Sequence, residues 1–336
     1  MEDTPPPPSQ SGPAPLSAAE AAAAGERLTA LLDDLSRVVL GQELLLERLT
    51  VALIAGGHVL LEGVPGTAKT LSAQALASAL SVEFTRLQFT PDLMPADVTG
   101  VSVFDPKEQR FEFHPGPVFT DLLLGDEINR APAKTQSALL EAMQERRVTV
   151  DGESRSLGPR FTVIATQNPV EFEGTYPLPE AQLDRFLMAI PVEYPSESHE
   201  IHLLERTAAG FNSAQSETFG LATQLSGSDL DALRALAERV RVEPEVIAYI
   251  AKVVCATRED PLLSLGASPR ASVALFNAAR ALALVRGRDF VTPDDVKDLA
   301  EPVLRHRVVL SPEAQVEGAM PDDRVRAALA TVEAPR

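Results

Sequence analysis

The segment of this chain with the clearest chemical meaning contains two glycines and ends in lysine and threonine. It runs from Gly63 to Thr70, with the sequence GVPGTAKT, between an apolar run at 58–61 and a helix-like run at 71–80. A strand, a glycine-containing loop, Lys-Thr and a helix are typical of a phosphate-binding loop, whose backbone N–H groups point at an anion. Lys69 would then contact the outer phosphates, and the Thr70 hydroxyl would bind Mg²⁺. The residues predicted to contact nucleotide are Gly63, Val64, Pro65, Gly66, Thr67, Ala68, Lys69, Thr70 and Leu71.

One position of this segment departs from the usual pattern. Ala68 stands where a glycine is expected, directly before the lysine. Alanine does not readily adopt a positive φ, so we expect the loop to hold residue 68 near the right-handed region. The alternative interpretation of the whole segment is an ordinary strand-to-helix turn with an exposed lysine.

A pair of acids follows about sixty residues later, at the end of an apolar run. Asp126 and Glu127 come directly after Leu122–Gly125, which suits a strand buried on both faces. Mg²⁺ keeps several waters and takes few protein carboxylates, so Asp126 could hold it through its water shell. Glu127 could polarise a water for in-line attack on a γ-phosphate. The alternative is that the two acids only cap the next helix.

Two more polar residues lie close to predicted strands. Asn168 follows the strand predicted at 160–165 and could orient the attacking water, or it could be a turn asparagine before a proline. Arg185 precedes the strand predicted at 186–192. It could point at the nucleotide of a neighbouring subunit, or it could form a salt bridge with Asp184.

Alternating strands and helices are needed to bring these residues together. Strands are predicted at 58–61, 84–88, 119–125, 160–166 and 186–192, and helices at 71–80 and 133–146. This β/α alternation predicts an α/β fold with a parallel sheet covered by helices on both faces. After residue 195 the pattern becomes helical, which predicts a smaller, all-α second domain.

The predicted organisation has five parts. A boundary is expected between 195 and 227, where the strand pattern ends and a small, polar stretch begins. The parts are a disordered proline-rich tail at 1–16, a nucleotide-binding core at 17–195, a connection at 196–227, a helical domain at 228–320 and a tail or last helix at 321–336.

Composition limits the classes of function. The formal net charge is −18 and the pI is near 4.7, which argues against broad binding to nucleic acid or to an anionic membrane. The single cysteine, Cys255, excludes a disulfide framework and is expected to be a small buried hydrophobe. Nothing near the N-terminus resembles a signal peptide, and the apolar run at 51–61 is too short to span a bilayer. A cytoplasmic location is therefore expected, with no membrane insertion.

Taken together, these motifs resemble those of the AAA+ P-loop ATPases and, within them, the MoxR group. The resemblance covers about residues 36–310, and alanine before the loop lysine is familiar in MoxR proteins, so Ala68 favours it. The segments that carry it are GVPGTAKT at 63–70, GDEINR at 125–130, ATQNP at 165–169, EAQLDRF at 180–186 and SPRA at 268–271.

The resemblance implies an α/β core and a helical lid that assemble into a ring, typically a hexamer, and that use ATP and Mg²⁺. Val39, Gly41 and Gln42 are similar to the segment that lines the adenine pocket in this family. The implied roles are Walker A for Lys69 and Thr70, Walker B for Asp126 and Glu127, sensor 1 for Asn168, arginine finger for Arg185 and sensor 2 for Arg270.

The resemblance also implies two insertions that tend to face the ring pore or a client. They lie at 89–97, with the strands that follow, and at 147–159. Leu93 and Met94 of the first are candidate client contacts, although local packing would explain them equally well.

Four functions are compatible with these features. The first is an ATP-driven motor that remodels or matures a protein client, including metal-cofactor insertion, together with a partner that carries a von Willebrand factor A domain. The second, a nucleic-acid motor, is disfavoured by the acidic composition. The third, a nucleotide-gated scaffold, is disfavoured by the presence of Glu127 and Arg185. The fourth is the motor subunit of a metal chelatase, which would share most of these motifs.

Overall fold

A computed structural model of the chain describes residues 14–168, 175–212, 215, 219–222 and 225–335. Nearly all of the predicted proline-rich tail lies outside these residues, and so does Pro169. The strands are β1 Val59–Glu62, β2 Phe84–Gln88, β3 Gly100–Asp105, β4 Arg110–Pro115, β5 Leu122–Asp126, β6 Arg147–Val150, β7 Glu153–Ser156, β8 Thr162–Gln167, β9 Met188–Pro191, β10 Leu263–Leu265 and β11 Val309–Leu310. The helices are α1 Ala18–Val38, α2 Glu43–Ile54, α3 Lys69–Leu80, α4 Pro95–Thr99, α5 Ala133–Glu145, α6 Glu180–Leu183, α7 Glu197–Ala208, α8 Gly227–Glu238, α9 Pro244–Glu259, α10 Pro269–Val285, α11 Pro293–Leu304, α12 Pro312–Val316 and α13 Pro321–Thr331.

The central sheet is parallel and has five strands in the order β2-β5-β8-β1-β9, which confirms the prediction. All residues of β5 are buried, as expected for a strand covered on both faces. Along this strand Leu123 packs into one hydrophobic cluster, whereas Leu122 and Leu124 pack into the other. Alternate side chains therefore build a core on each face of the sheet.

The strand order brings three loops to one edge of the sheet. The Gly63–Thr70 loop follows β1, Asp126 ends β5, and Asn168 follows β8, which lies between β1 and β5. The carboxyl ends of parallel strands share an edge, and this edge is where α/β proteins bind ligands. The topology thus places the predicted phosphate loop and the two acids around one crevice.

The second half of the chain is built around α10. This helix is rich in buried alanines and packs against α1, α2, α8, α9 and α11. A short antiparallel pair, β10 with β11, interrupts the helical pattern. The approach of α1 to the end of α10 is very close, since a Cβ added to Gly25 would lie 2.4 Å from the Cα of Gly287. Only glycine permits this contact.

Two hairpins, separate from the main sheet, lie in the sequence between its strands. The β6–β7 pair turns at Asp151 and Gly152, both with positive φ, as is typical of an Asp-Gly hairpin turn. The β3–β4 pair follows the first insertion and carries an edge-to-face contact between Phe104 and Phe111, both of which are exposed.

One prediction from composition is wrong. Cys255 is exposed, because it lies outside the buried face of α9, which contains Val253, Val254 and Thr257. The apolar run around it did not reveal which side of the helix faces solvent. Among the helices that the structure describes, none is long and apolar enough to cross a membrane.

Candidate nucleotide-binding site

The predicted phosphate loop leads from β1 into α3 and turns sharply at Ala68. This residue has φ 63° and ψ 16°, so the expectation of a right-handed conformation is wrong. The left-handed conformation of a non-glycine residue costs about 1–2 kcal/mol. The first turn of α3 holds it in place, because the Ala68 carbonyl accepts hydrogen bonds from the Ser72 backbone N–H at 2.8 Å and hydroxyl at 2.9 Å.

The ammonium group of Lys69 lies against its own loop. It donates to the carbonyl oxygens of Gly63 and Val64, the latter at 3.2 Å. Burial lowers the pKa of Lys69, while the charges of Asp126 and Glu127 oppose that shift. The lysine is therefore a partly desolvated cation next to the two acids, where its charge acts more strongly than it would in water.

Asp126 is buried and linked to three different elements. Its Oδ2 accepts from the Thr70 hydroxyl at 3.3 Å and from Arg86 Nε at 2.8 Å, and its Oδ1 accepts from the Thr166 hydroxyl at 3.0 Å. The loop, β2 and β8 are thereby joined through one carboxylate. Asp126 and Thr70 come together as the sequence predicted for a Mg²⁺ site.

Glu127 has a left-handed backbone, with φ 58° and ψ 51°. Its backbone N–H donates to the Thr166 hydroxyl at 2.9 Å. Its carboxylate accepts from Gln88 Nε2 at 2.8 Å and from Arg130 Nη1 at 3.2 Å. Unusual conformations of this kind cluster at functional sites, and here the carboxylates of Glu127 and Asp126 contact different partners.

These groups surround one cavity of about 670 Å³, which is within the range typical of small-molecule sites. Asn168 is buried and lines it, and its carbonyl accepts from Asn129 Nδ2 at 3.4 Å. The lining residues are Pro65, Gly66, Ala68, Lys69, Thr70, Leu71, Gln74, Arg86, Gln88, Asp126, Glu127, Thr166, Asn168 and Leu203.

The groups that line this cavity fit a nucleoside triphosphate with Mg²⁺. The Thr70 hydroxyl and the Asp126 carboxylate are oxygen ligands of the kind that Mg²⁺ prefers. Gly66 lines the cavity with φ 86°, and no atom lies within 4 Å of where a Cβ would point. Its backbone is therefore accessible from the cavity. A close approach of phosphate to backbone N–H groups needs such a surface.

The two predicted arginines lie elsewhere. Neither Arg185 nor Arg270 lines the cavity of the loop. The alternative pairing of Arg185 with Asp184 is absent from the described structure. Asp184 instead accepts from Arg307 Nε at 2.7 Å and lies 3.7 Å from Arg270 Nη1.

The residues proposed for the adenine pocket are also separate from the loop cavity. Val39 is fully buried, and Gln42 Nε2 donates to the carbonyl of Glu193 at 2.9 Å. Gly41 and Gln42 line a different cavity of about 660 Å³, between α2 and the helices of the second half. The structure does not bring these three residues to the cavity of the loop.

Sequence reasoning missed three residues that hold the site together. Arg86 and Gln88 of β2 contact the carboxylates of Asp126 and Glu127, and Thr166 bridges the two acids. A signal was present, since all three are polar residues at or near the carboxyl ends of strands in a parallel sheet. It could be used only once β2 and β8 were known to flank β5.

Comparison with known proteins agrees with this geometry. Residues 58–188 match the ATPase family associated with various cellular activities (AAA), and residues 255–328 match the AAA lid domain. The chaperone MoxR1 of Mycobacterium tuberculosis is 45% identical over 312 residues, covering 90% of this chain and 81% of that protein. The chain belongs to the MoxR family of AAA+ ATPases.

A second relative and a solved structure are also similar to this chain. The uncharacterized protein YeaC of Bacillus subtilis is 46% identical over 307 residues, covering 90% of this chain and 93% of YeaC. The crystal structure of a candidate ATPase from Cytophaga hutchinsonii superimposes with a TM-score of 0.85 at 38% identity, covering 94% of this chain and 97% of that one. The MoxR family assignment made from the motifs is thus confirmed, together with the fold of an α/β core followed by a helical lid.

Proposed function

We propose that this protein hydrolyses ATP in the cavity of the Gly63–Thr70 loop and uses the energy to remodel a protein client. The observation that carries the proposal is the connected chain of Thr70, Asp126, Thr166 and Glu127. It supports the proposal because hydrogen bonds hold the proposed metal ligands, Thr70 and Asp126, and the proposed base, Glu127, together beside the phosphate loop. Nucleotide binding alone would not require the second acid.

Each residue has a distinct role in this proposal. Lys69 and the loop N–H groups bind the phosphates, while Thr70 and Asp126 hold Mg²⁺, which when bound neutralises charge on the phosphate oxygens. Glu127 accepts a proton from the attacking water, and Asn168 orients that water. Arg86 and Thr166 hold the Asp126 carboxylate by donating to it, and the Thr166 hydroxyl also accepts from the backbone N–H of Glu127. Gln88 and Arg130 hold the Glu127 carboxylate.

We further propose a hexameric ring in which Arg185 and Arg270 act on the nucleotide of a neighbouring subunit. Neither arginine lines the loop cavity of its own chain, which supports a role at the nucleotide of a second subunit. Arg185 would stabilise transition-state charge as an arginine finger, and Arg270 would act as sensor 2.

The client role is supported by the relatives' names and by the chemistry of the chain. One relative is named a chaperone, and the acidic composition disfavours a nucleic-acid client. We propose a cytoplasmic protein that matures clients, including metal-cofactor insertion, with a von Willebrand factor A domain partner. A pull-down with Glu127→Gln held in ATP tests this part, because slow turnover keeps the client-bound state populated.

The hydrolytic site is tested by two substitutions and one control. Glu127→Gln should keep ATP affinity and lose turnover, because an amide is a much weaker base than a carboxylate. Lys69→Ala should lose ATP affinity in calorimetry. Glu141→Gln, on the exposed face of α5, is the matched control and should change neither. Normal turnover by Glu127→Gln would exclude Glu127 as the base.

The subunit arrangement is tested by mixing two inactive variants. Arg185→Ala keeps its own Glu127, and Glu127→Gln keeps its own Arg185. A mixed ring therefore contains complete sites if Arg185 acts across the interface, and ATP turnover should partly return. Mixed rings that form by native mass spectrometry but stay inactive would contradict the proposal.

A further inference from the structure

A second group of cations lies where the core meets the helical lid, away from the nucleotide site. It surrounds a cavity of about 290 Å³. The cavity is bounded by the end of α2, by the residues that follow α5 and β7, and by α8 and α10. Its lining residues are Ile54, Ala55, Gly56, Arg146, Pro159, Arg234, Ala237, Glu238, Asn277 and Arg280.

Two of the three arginines are held by neutral acceptors. Arg146 donates to the carbonyls of Gly56 at 2.7 Å and Pro159 at 2.6 Å. Arg234 donates to the carbonyls of Leu53 at 2.9 Å and Pro159 at 2.7 Å. These bonds cap the carboxyl end of α2 and fix both guanidinium groups, but they neutralise neither charge.

The third arginine has no such anchor. The Nε atom of Arg280 is buried and has no hydrogen-bond partner in the described structure. Its guanidinium carbon lies 5.4 Å from the centre of the Phe276 ring. Structural capping explains Arg146 and Arg234, but it does not explain Arg280.

Nearby carboxylates offset this charge only in part, because Glu238 raises the pKa of Arg280, and Asp231 and Asp121 raise that of Arg234, by less than burial lowers them. Within the described ranges, no carboxylate oxygen lies within ion-pair distance of Arg146, Arg234 or Arg280. The nearby Asp231 is engaged by Arg160, with contacts of 3.0 and 2.8 Å. The cavity lining contains a single acid, Glu238, which is exposed.

The local environment makes this excess charge costly. Burial lowers the pKa of Arg146 and of Arg280. Burial, followed by the neighbouring charge of Arg146, lowers the pKa of Arg234 to about 10. All three groups stay protonated at neutral pH, so their repulsion and desolvation would be relieved by an anion.

We propose that this cavity binds a small, multiply charged oxyanion of the phosphate class, held by arginines from both the core and the lid. Guanidinium groups present paired N–H donors that match phosphate oxygens. The volume lies just below the range of about 300–1,000 Å³ for typical ligand sites, which favours a free ion over a nucleotide. Arg146 belongs to the core, whereas Arg234 and Arg280 lie on α8 and α10, so a bound anion would link the two parts.

The test uses the full chain and inorganic phosphate. Thermal unfolding is followed by circular dichroism in phosphate and in chloride of equal ionic strength. All variants carry Lys69→Ala, so that phosphate binding to the nucleotide loop contributes little to the change in Tm. We expect phosphate to raise Tm by roughly 3–8 °C at a concentration near 100 times Kd. Arg280→Gln should remove most of this rise, and Arg37→Gln, at an exposed arginine of α1, should keep it.

A second variant tests the same cavity without removing an arginine. Asn277→Asp places a carboxylate one helical turn from Arg280, so it should raise Tm in chloride and reduce the rise caused by phosphate. An equal rise in the Arg280→Gln variant and its background would overturn the proposal. So would the absence of any rise over chloride. Neither result depends on ATP hydrolysis.

Discussion

The buried arginine that joins the lid to the core offers the sharpest test of the fold. Arg307 is 2% exposed at its side chain, and its Nε contacts Asp184 at 2.7 Å. Its other nitrogens donate to the carbonyls of Phe186 at 2.6 Å and Leu187 at 3.1 Å. Arg307→Met would leave the partly buried Asp184 carboxylate and the carbonyls of Phe186 and Leu187 without these donors. Removing one partner of a buried ion pair costs about 3–5 kcal/mol, which for a chain of this size lowers Tm by about 4–7 °C.

The assay is urea unfolding followed by far-ultraviolet circular dichroism, since the chain contains no tryptophan. Arg326→Gln is the control, because Arg326 forms an exposed pair with Glu301 on the same lid, and exposed pairs contribute little to stability. The double variant with Asp184→Leu should cost less than the sum of its two single changes. A loss in Arg307→Met no larger than in Arg326→Gln would refute the reasoning.

Three further outcomes are expected. Burial lowers the pKa of His58 to about 4, so the unfolded chain takes up a proton at higher pH than the folded one. The free energy of unfolding should therefore fall from pH 6.5 toward pH 4, by about 2 kcal/mol at pH 5. Urea titrations of His58→Gln over the same pH range should lack this decrease. Ala68→Gly should raise the free energy of unfolding by about 1 kcal/mol, because glycine adopts the left-handed conformation without strain; a loss would mean that the Ala68 methyl group packs usefully. Thr166→Val removes the hydroxyl that bridges the two acids, so steady-state ATP turnover should fall about tenfold or more while affinity in calorimetry is kept. Unchanged turnover would show that the bridge is not needed.

Much of the site could be predicted because its residues occupy strand ends. Lys69 and Asp126 follow apolar runs, and a parallel sheet brings such ends together without any long-range information. Thr70 therefore meets Asp126 as expected. The conformation of Ala68 could not be predicted, because it depends on how the whole loop closes onto α3.

Other features depend on contacts between distant segments. Arg86 lies in β2, and nothing in its local sequence shows that β2 pairs with β5. The proximity of Arg270 to Asp184 depends on how the lid packs on the core, which sequence patterns do not encode. The exposure of Cys255 shows the same limit, because an apolar run does not reveal which face of a helix meets solvent.

The contact between Gly25 and Gly287 has a consequence for the order in which the protein is made. Helix α1 is synthesised some 250 residues before one of its packing partners, α10. At about 5–20 residues per second, this delay is roughly 12–50 s. During that time the apolar face of α1 that contains Leu28, Leu31 and Leu35 lacks α10, although α2 and α3 are already available to pack against α1. The nascent chain therefore carries an incompletely covered helix until α10 has been made, and apolar surface of this kind is what cellular holdases bind.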